Sequence, residues 1–245
     1  MIKIQPIEDF PFIKEGDDVG KIIVGKVAGI LQDSDVIVVT HKIVSRAEGR
    51  TVDLKTVEPS SFAQKFAKTS DKDPRAVEIV LHEAKTVVRS SDKHLITETK
   101  HGFVCANSGV DKSNSPGESV IMLPDDPDRS ARDILNKVTE STGKKVAVII
   151  TDTFGRIFRI GTTNVAVGVA GMDALESFIG EKDLFGYEMK TTQVARADEL
   201  AAAAGLISGQ TDEGYPVVII SGFQFKSGTG TIRDLVRPRE QSLFW

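Results

Sequence analysis

In the stretch KKVAVIITDTFGRIFRIGTT, residues 144–163, an apolar run gives way to polar residues within a single step. Val146 to Ile150 is short and rich in β-branched side chains, which predicts a strand buried on both faces. Thr151, Asp152 and Thr153 then interrupt it, followed by Gly155, Arg156 and Arg159. In open α/β sheets, ligands sit outside the carboxyl ends of the strands. A carboxylate and a hydroxyl placed there suit a divalent cation, and the arginines suit phosphate. The plainer alternative is a turn, because Asp and Thr also favour strand ends and helix caps.

Working outward from this stretch, MIKIQPI alternates like an edge strand and leads into the loop EDFPFIKEGDD. DDVGKIIVGKVAGIL has helical spacing, with Asp17 or Asp18 as its cap. DSDVIVVTHKIVSRAEGR predicts a buried strand followed by a polar turn, and residues 59–89 two helices broken at SDKDP. HLITETKHGFVCAN reads as a hairpin, and SGVDKSNSPGE as a long polar loop before the strand SVIML. DDPDRSARDILNKVTESTGKK predicts a helix between an acidic start and a glycine stop. After the central stretch come the strand-like TTNVAVGVAGM, the alanine-rich helix RADELAAAAGLISGQ and the buried strand YPVVIISG. Helices and strands in this irregular order predict an α+β (mixed α/β) fold, with mixed sheets flanked by helices. Composition marks no boundary within residues 1–245, so the expectation is a single domain, with room for two interleaved subdomains.

The 245 residues are 40% hydrophobic and 27% charged, ordinary values for a globular chain. A net charge of −4 with only 6% aromatic residues argues against nucleic-acid binding. No run is long enough to span a membrane and no secretory leader is legible, so a cytoplasmic location is expected. Cys105 is the only cysteine and lies in an apolar run, which favours a buried structural thiol over a nucleophile. The four histidines show no metal-binding spacing. GKIIVGKV, residues 20–27, matches G-x-x-x-x-G-K but continues with Val27 instead of a hydroxyl residue. Its interior looks like an amphipathic helix, so it is not read as a phosphate loop.

Four polar clusters follow or interrupt apolar runs: HKIVSRAEGR (41–50), NSGVDKSN (107–114), TDTFGR (151–156) and SGQTDEGYP (208–216). Each alone is a plausible turn. Together with FPFIKEGDD (10–18), in this order and spacing, they resemble the coenzyme F420-0:γ-glutamyl ligase family along essentially the whole chain. The resemblance implies an α+β intertwined homodimer of the stand-alone archaeal type, without the reductase-like domain that follows in some bacterial relatives. It also implies a GTP-dependent enzyme that joins L-glutamate through γ-linkages to F420-0 and then to F420-1, by way of an acyl phosphate. Two Mg2+ or Mn2+ ions are implied, with K+ as a monovalent activator.

Carried over by residue, Asp111 and Asp152 match the catalytic ligands of one metal, and Thr153 and Gln210 those of the second. Phe10, Pro11, Phe12, Ile13, His41, Lys42, Arg46 and Asn114 match nucleotide contacts. The segment Ser208, Gly209, Gln210, Thr211, Asp212, Glu213, Gly214 and Tyr215 is implied to wrap the nucleotide. Arg46 stands where Lys is more usual, His41 and Lys42 where some members have small hydroxyl residues, and Gln210 where others have Glu. A neutral amide attracts a cation less than a carboxylate does. The Thr153–Gln210 site is therefore expected to fill mainly when GTP adds its phosphate oxygens. These departures keep two other readings open: an amide ligase with another acceptor, and a non-catalytic nucleotide- or deazaflavin-binding protein.

Overall fold

The apolar run at 146–150 enters an interior strand of the main sheet, but the strand does not stop where the polar residues begin. A computed structural model describes residues 1–91 and 93–242. In chain order the elements begin with β1 (Lys3–Pro6), α1 (Val19–Val27), β2 (Val36–Thr40), α2 (His41–Ala47) and β3 (Thr51–Asp53). They continue with α3 (Ser61–Ser70), α4 (Pro74–Glu83), β4 (Ala84–Ser90), β5 (Leu95–Thr99), β6 (Val104–Ala106) and β7 (Ser119–Ile121). The remainder is α5 (Pro127–Thr142), β8 (Ala147–Arg156), β9 (Arg159–Ala170), β10 (Glu176–Ser177), β11 (Gln193–Val194), α6 (Arg196–Ser208) and β12 (Val217–Ser221). Helices packed on mixed sheets make the fold α+β, as the pattern of elements predicts.

The main sheet has the order β1-β12-β2-β8-β9. Only β2 and β8 run parallel, in register from Val36 opposite Ala147 to Thr40 opposite Thr151. Val36–Val39, Ala147–Ile150 and Val217–Ile220 are all buried, the signature of strands covered on both faces. Helix α5 packs on β8 and β9 with α1 against it, while α6 packs across β9, β12 and β1. Asp18 caps α1 by accepting the Lys21 N–H at 3.0 Å. The G-x-x-x-x-G-K match lies inside this helix, and a side chain at Gly20 would press on Lys137 of α5. Its glycine serves helix packing. Asp126 and Gly143 (φ +69°) bound α5 at its two ends.

Between α2 and α5 the chain builds a smaller region with apolar clusters of its own. One joins Leu54, Ile79, Val120 and Met122, and another joins Ala63, Val77, Val80 and Leu95. This region holds the β3–β7 pair and the β4-β5-β6 sheet.

Three expectations are corrected. The residues after β2 form the helix α2 and not a polar turn, because Ile43 and Val44 are drawn into the main core. The second helix of residues 59–89 ends at Glu83, and the chain then runs as strand β4, paired with β5. Finally, β8 continues through the polar residues to Arg156. Its backbone there is paired with β9, from Asp152 opposite Val165 to Gly155 opposite Thr162. A long hairpin partner supplies the hydrogen bonds that local propensity does not.

Candidate active site

The parallel neighbours β2 and β8 end side by side, Thr40 against Thr151. Successive strand residues point to opposite faces, and the contacts after Thr151 follow that rule. Asp152 faces α2, with Oδ1 3.3 Å from His41 Nε2. Thr153 faces the segment after α6, where its hydroxyl donates to Gln210 Oε1 at 3.1 Å. The two residues thus deliver oxygens to two neighbouring places. His41 itself is 1% exposed. Its Nδ1 pairs with Ser45 Oγ at 3.1 Å, and its Nε2 lies off the hydrogen-bond axis to Asp152, with no hydrogen bond among the described residues. Its side chain packs beneath Asp152 at the floor of the site.

Asp111 arrives from the long polar loop, fixed by paired backbone hydrogen bonds with Ile121 at 2.9 and 2.8 Å. Lys42 Nζ donates to its Oδ2 at 2.6 Å, and the Ser113 backbone N–H to its Oδ1 at 2.8 Å. Burial pushes the Asp111 carboxyl up, but the hydrogen bonds from Lys42 and Ser113 outweigh it and hold the group below the ordinary carboxylate range. It is an anion at neutral pH with a cation already against it. Arg46 donates to the Asn114 carbonyl at 2.6 Å, and Asn114 Nδ2 donates to the Thr211 carbonyl at 3.2 Å. These contacts tie α2, the 107–114 loop and the 208–216 loop together.

The 208–216 loop turns at Gly209, where φ is +70° and ψ −167°, a region open essentially to glycine alone. Glu213 folds back, accepting the backbone N–H groups of Gln210 at 3.1 Å and Thr211 at 2.8 Å. The Thr211 N–H leads in holding the Glu213 carboxyl below its ordinary range.

These segments enclose a cleft of about 730 Å3. It is lined by every candidate residue except Glu213: Phe10 to Ile13, His41, Lys42, Arg46, Asp111, Asn114, Asp152, Thr153 and most of 208–215. Glu213 shapes its own loop instead. Ser113 and Asn164, which also line the cleft, were not among the sequence candidates. Ser113 sits inside NSGVDKSN and is explained by its contact with Asp111; Asn164 lies in an ordinary strand run that carries no signal. Behind Asp152, the buried Cys105 thiol is pushed up to about 12, first by burial and then by the Asp152 charge. It stays protonated and is no nucleophile.

The chemistry of the donors bears on whether a cation belongs here. Among the described residues no three His, Cys, Asp or Glu side chains cluster as a metal site. Asp111, Asp152, Thr153 and Gln210 nevertheless offer only oxygens, which suits Mg2+ or Mn2+ over zinc. Two carboxylates with a hydroxyl and an amide fill only part of the coordination sphere of such a cation, so the set fits one that takes further oxygen ligands from elsewhere.

Comparison with known proteins meets the same segments. The sequence profile of the family described as F420-0:Gamma-glutamyl ligase matches residues 8–222. This chain belongs to that family. The matched region begins ahead of Phe10 and ends past Tyr215, so it takes in the whole cleft. A relative from Methanocaldococcus jannaschii, named coenzyme F420:L-glutamate ligase, is 49% identical over 87% of this chain and 86% of its own. Relatives of the same name from Methanothermobacter thermautotrophicus and Methanopyrus kandleri are 44% and 42% identical. Each covers 99% of this chain, with 98% and 97% of their own lengths aligned. No helix among the described residues is long and apolar enough to cross a membrane.

Proposed function

We propose that this protein is a GTP-dependent ligase that joins L-glutamate through γ-linkages to coenzyme F420-0 and then to F420-1. The observation that carries this reading is the convergence of four distant polar clusters in one cleft, in a chain whose family relatives are named for that ligation.

Forming an amide from a carboxylate requires a leaving group better than hydroxide. Transfer of the GTP γ-phosphoryl group to the acceptor carboxylate gives an acyl phosphate; the glutamate amine then attacks its carbonyl carbon and phosphate departs. Catalysis of such a transfer is mainly positioning and charge neutralisation. Lys42 and Arg46 place positive charge on the α2 side of the cleft, and α2 is anchored to the 107–114 loop that carries Asp111. Asp111 with Asp152 would hold one Mg2+ or Mn2+, and Thr153 with Gln210 a second, supplying further neutralisation of phosphate charge. The loop 208–215, turned by Gly209, closes over the nucleotide. The homodimer of this reading is supported by the tip of the β8–β9 hairpin, where Ile157, Phe158 and Ile160 are exposed.

Incubation with GTP, Mn2+, L-glutamate and F420-0 should yield products heavier by one or more glutamyl units. GTP hydrolysis with another carboxylic acid and no product from F420-0 would overturn the acceptor assignment. Tight GTP binding without any turnover would overturn the enzyme assignment. Within this reading Arg46 serves nucleotide binding, since it holds no candidate cation ligand. Arg46→Ala should raise the Michaelis constant for GTP about tenfold, on the order of 1.4 kcal/mol, and leave that for glutamate within about twofold. Steady-state kinetics in both substrates check this, and equal shifts would count against it.

A further inference from the structure

Asn164 belongs to none of the polar clusters, yet it is only 8% exposed and reaches the centre of the site. Its place is set by an irregularity in the hairpin. Ile150 pairs with Gly168, but Thr151 pairs with Ala166, so β9 carries one extra residue, Val167, between them. An inserted residue reverses which face the following side chains occupy. Gly168 accordingly abuts Pro127 of α5, whereas Asn164, four residues away, abuts Gly205 of α6. Asn164 thereby lies directly opposite Thr153 in the ladder. A Cβ at Gly205 would come within 2.7 Å of Asn164 Oδ1, so the bare glycine leaves room for the amide.

From this seat Asn164 Oδ1 accepts the Gln210 Nε2 hydrogen bond at 3.0 Å. The other end of the same amide, Oε1, is turned to the Thr153 hydroxyl. An amide nitrogen is no ligand for a hard cation, so which end of Gln210 faces Thr153 determines whether the pair can coordinate. We infer that Asn164, seated against Gly205, is a positioning residue that turns the Gln210 oxygen toward a cation held with Thr153. This deepens the cation reading above and rests on it. Partners behind a ligand fix its orientation, and removing one characteristically weakens metal affinity about 10–100-fold.

The test counts Mn2+ bound by the full chain, by calorimetry and electron paramagnetic resonance, with and without a non-hydrolysable GTP analogue. Asn164→Leu should weaken the nucleotide-dependent uptake at least about tenfold and leave nucleotide-free uptake within about twofold. Asn164→Asp keeps an acceptor for Gln210 Nε2 and should retain wild-type uptake or exceed it. Asn164→Thr suits a strand, and its hydroxyl falls short of Gln210, so it takes the place of Asn164→Leu should the latter unfold. Unchanged nucleotide-dependent uptake in the Leu or Thr variant would overturn the positioning role alone. Absence of any nucleotide-dependent uptake in the wild-type protein would overturn the cation reading and this inference together.

Discussion

Replacing Asp152 with Asn is expected to lower ligation by at least about a hundredfold, about 3 kcal/mol of transition-state stabilisation. The substitution changes charge with little change of shape. Asn Oδ1 can still accept the Thr153 backbone N–H, as Asp152 Oδ1 does at 2.7 Å. It also keeps the packing above His41 and beside Cys105. The thermal midpoint should therefore stay within about 4 °C of wild type, roughly 1 kcal/mol for a chain of this size. What is lost is one of the two candidate cation-binding carboxylates, and the other, Asp111, is already paired with Lys42. Mn2+ binding without nucleotide should weaken in parallel with turnover. Near wild-type turnover at saturating Mn2+ would show that Asp152 is not a cation ligand.

Gly209→Ala is expected to weaken GTP binding about tenfold to a hundredfold, about 1.4–2.8 kcal/mol, with a smaller effect on global stability. The backbone at φ +70°, ψ −167° costs a residue with a Cβ about 1–3 kcal/mol. The new methyl group would also overlap the Glu213 carboxylate, which holds the Gln210 and Thr211 N–H groups. An exposed loop relieves such a conflict by rearranging locally, so the damage falls on the Gln210 and Thr211 geometry and not on the core. Equilibrium titration with a GTP analogue, beside a thermal melt, separates the two. A variant with unchanged nucleotide affinity would show that this backbone geometry is incidental to binding.

Much of the site was legible because its residues come in short polar clusters that interrupt apolar runs. Those clusters mark the segments, the family resemblance picks Asp111, Asp152, Lys42 and Gln210 out of them, and the cleft gathers all four. His41 shows the limit of that reading. A polar residue after a strand looks exposed in one dimension, but the helical path of α2 turns its ring inward, under Asp152. Asn164 was illegible for a related reason. In TTNVAVGVAGM it is one polar residue in a strand, and its importance depends on a bulge further along β9 and a glycine on α6.

By itself the sequence determined where most helices and strands lie, where α1 and α5 begin, and which polar segments stand at their ends. Each of these follows from local physics: the spacing of apolar residues, a capping carboxylate, a glycine at positive φ. Tertiary structure alone decided that β1 and β12, from opposite ends of the chain, lie side by side, and that β2 and β8 run parallel across more than a hundred residues. It also decided that β8 runs on through Asp152 and Thr153, since a strand of polar residues persists only where a partner such as β9 satisfies its backbone. Pairing and burial are properties of two segments at once, and neither segment carries that information alone.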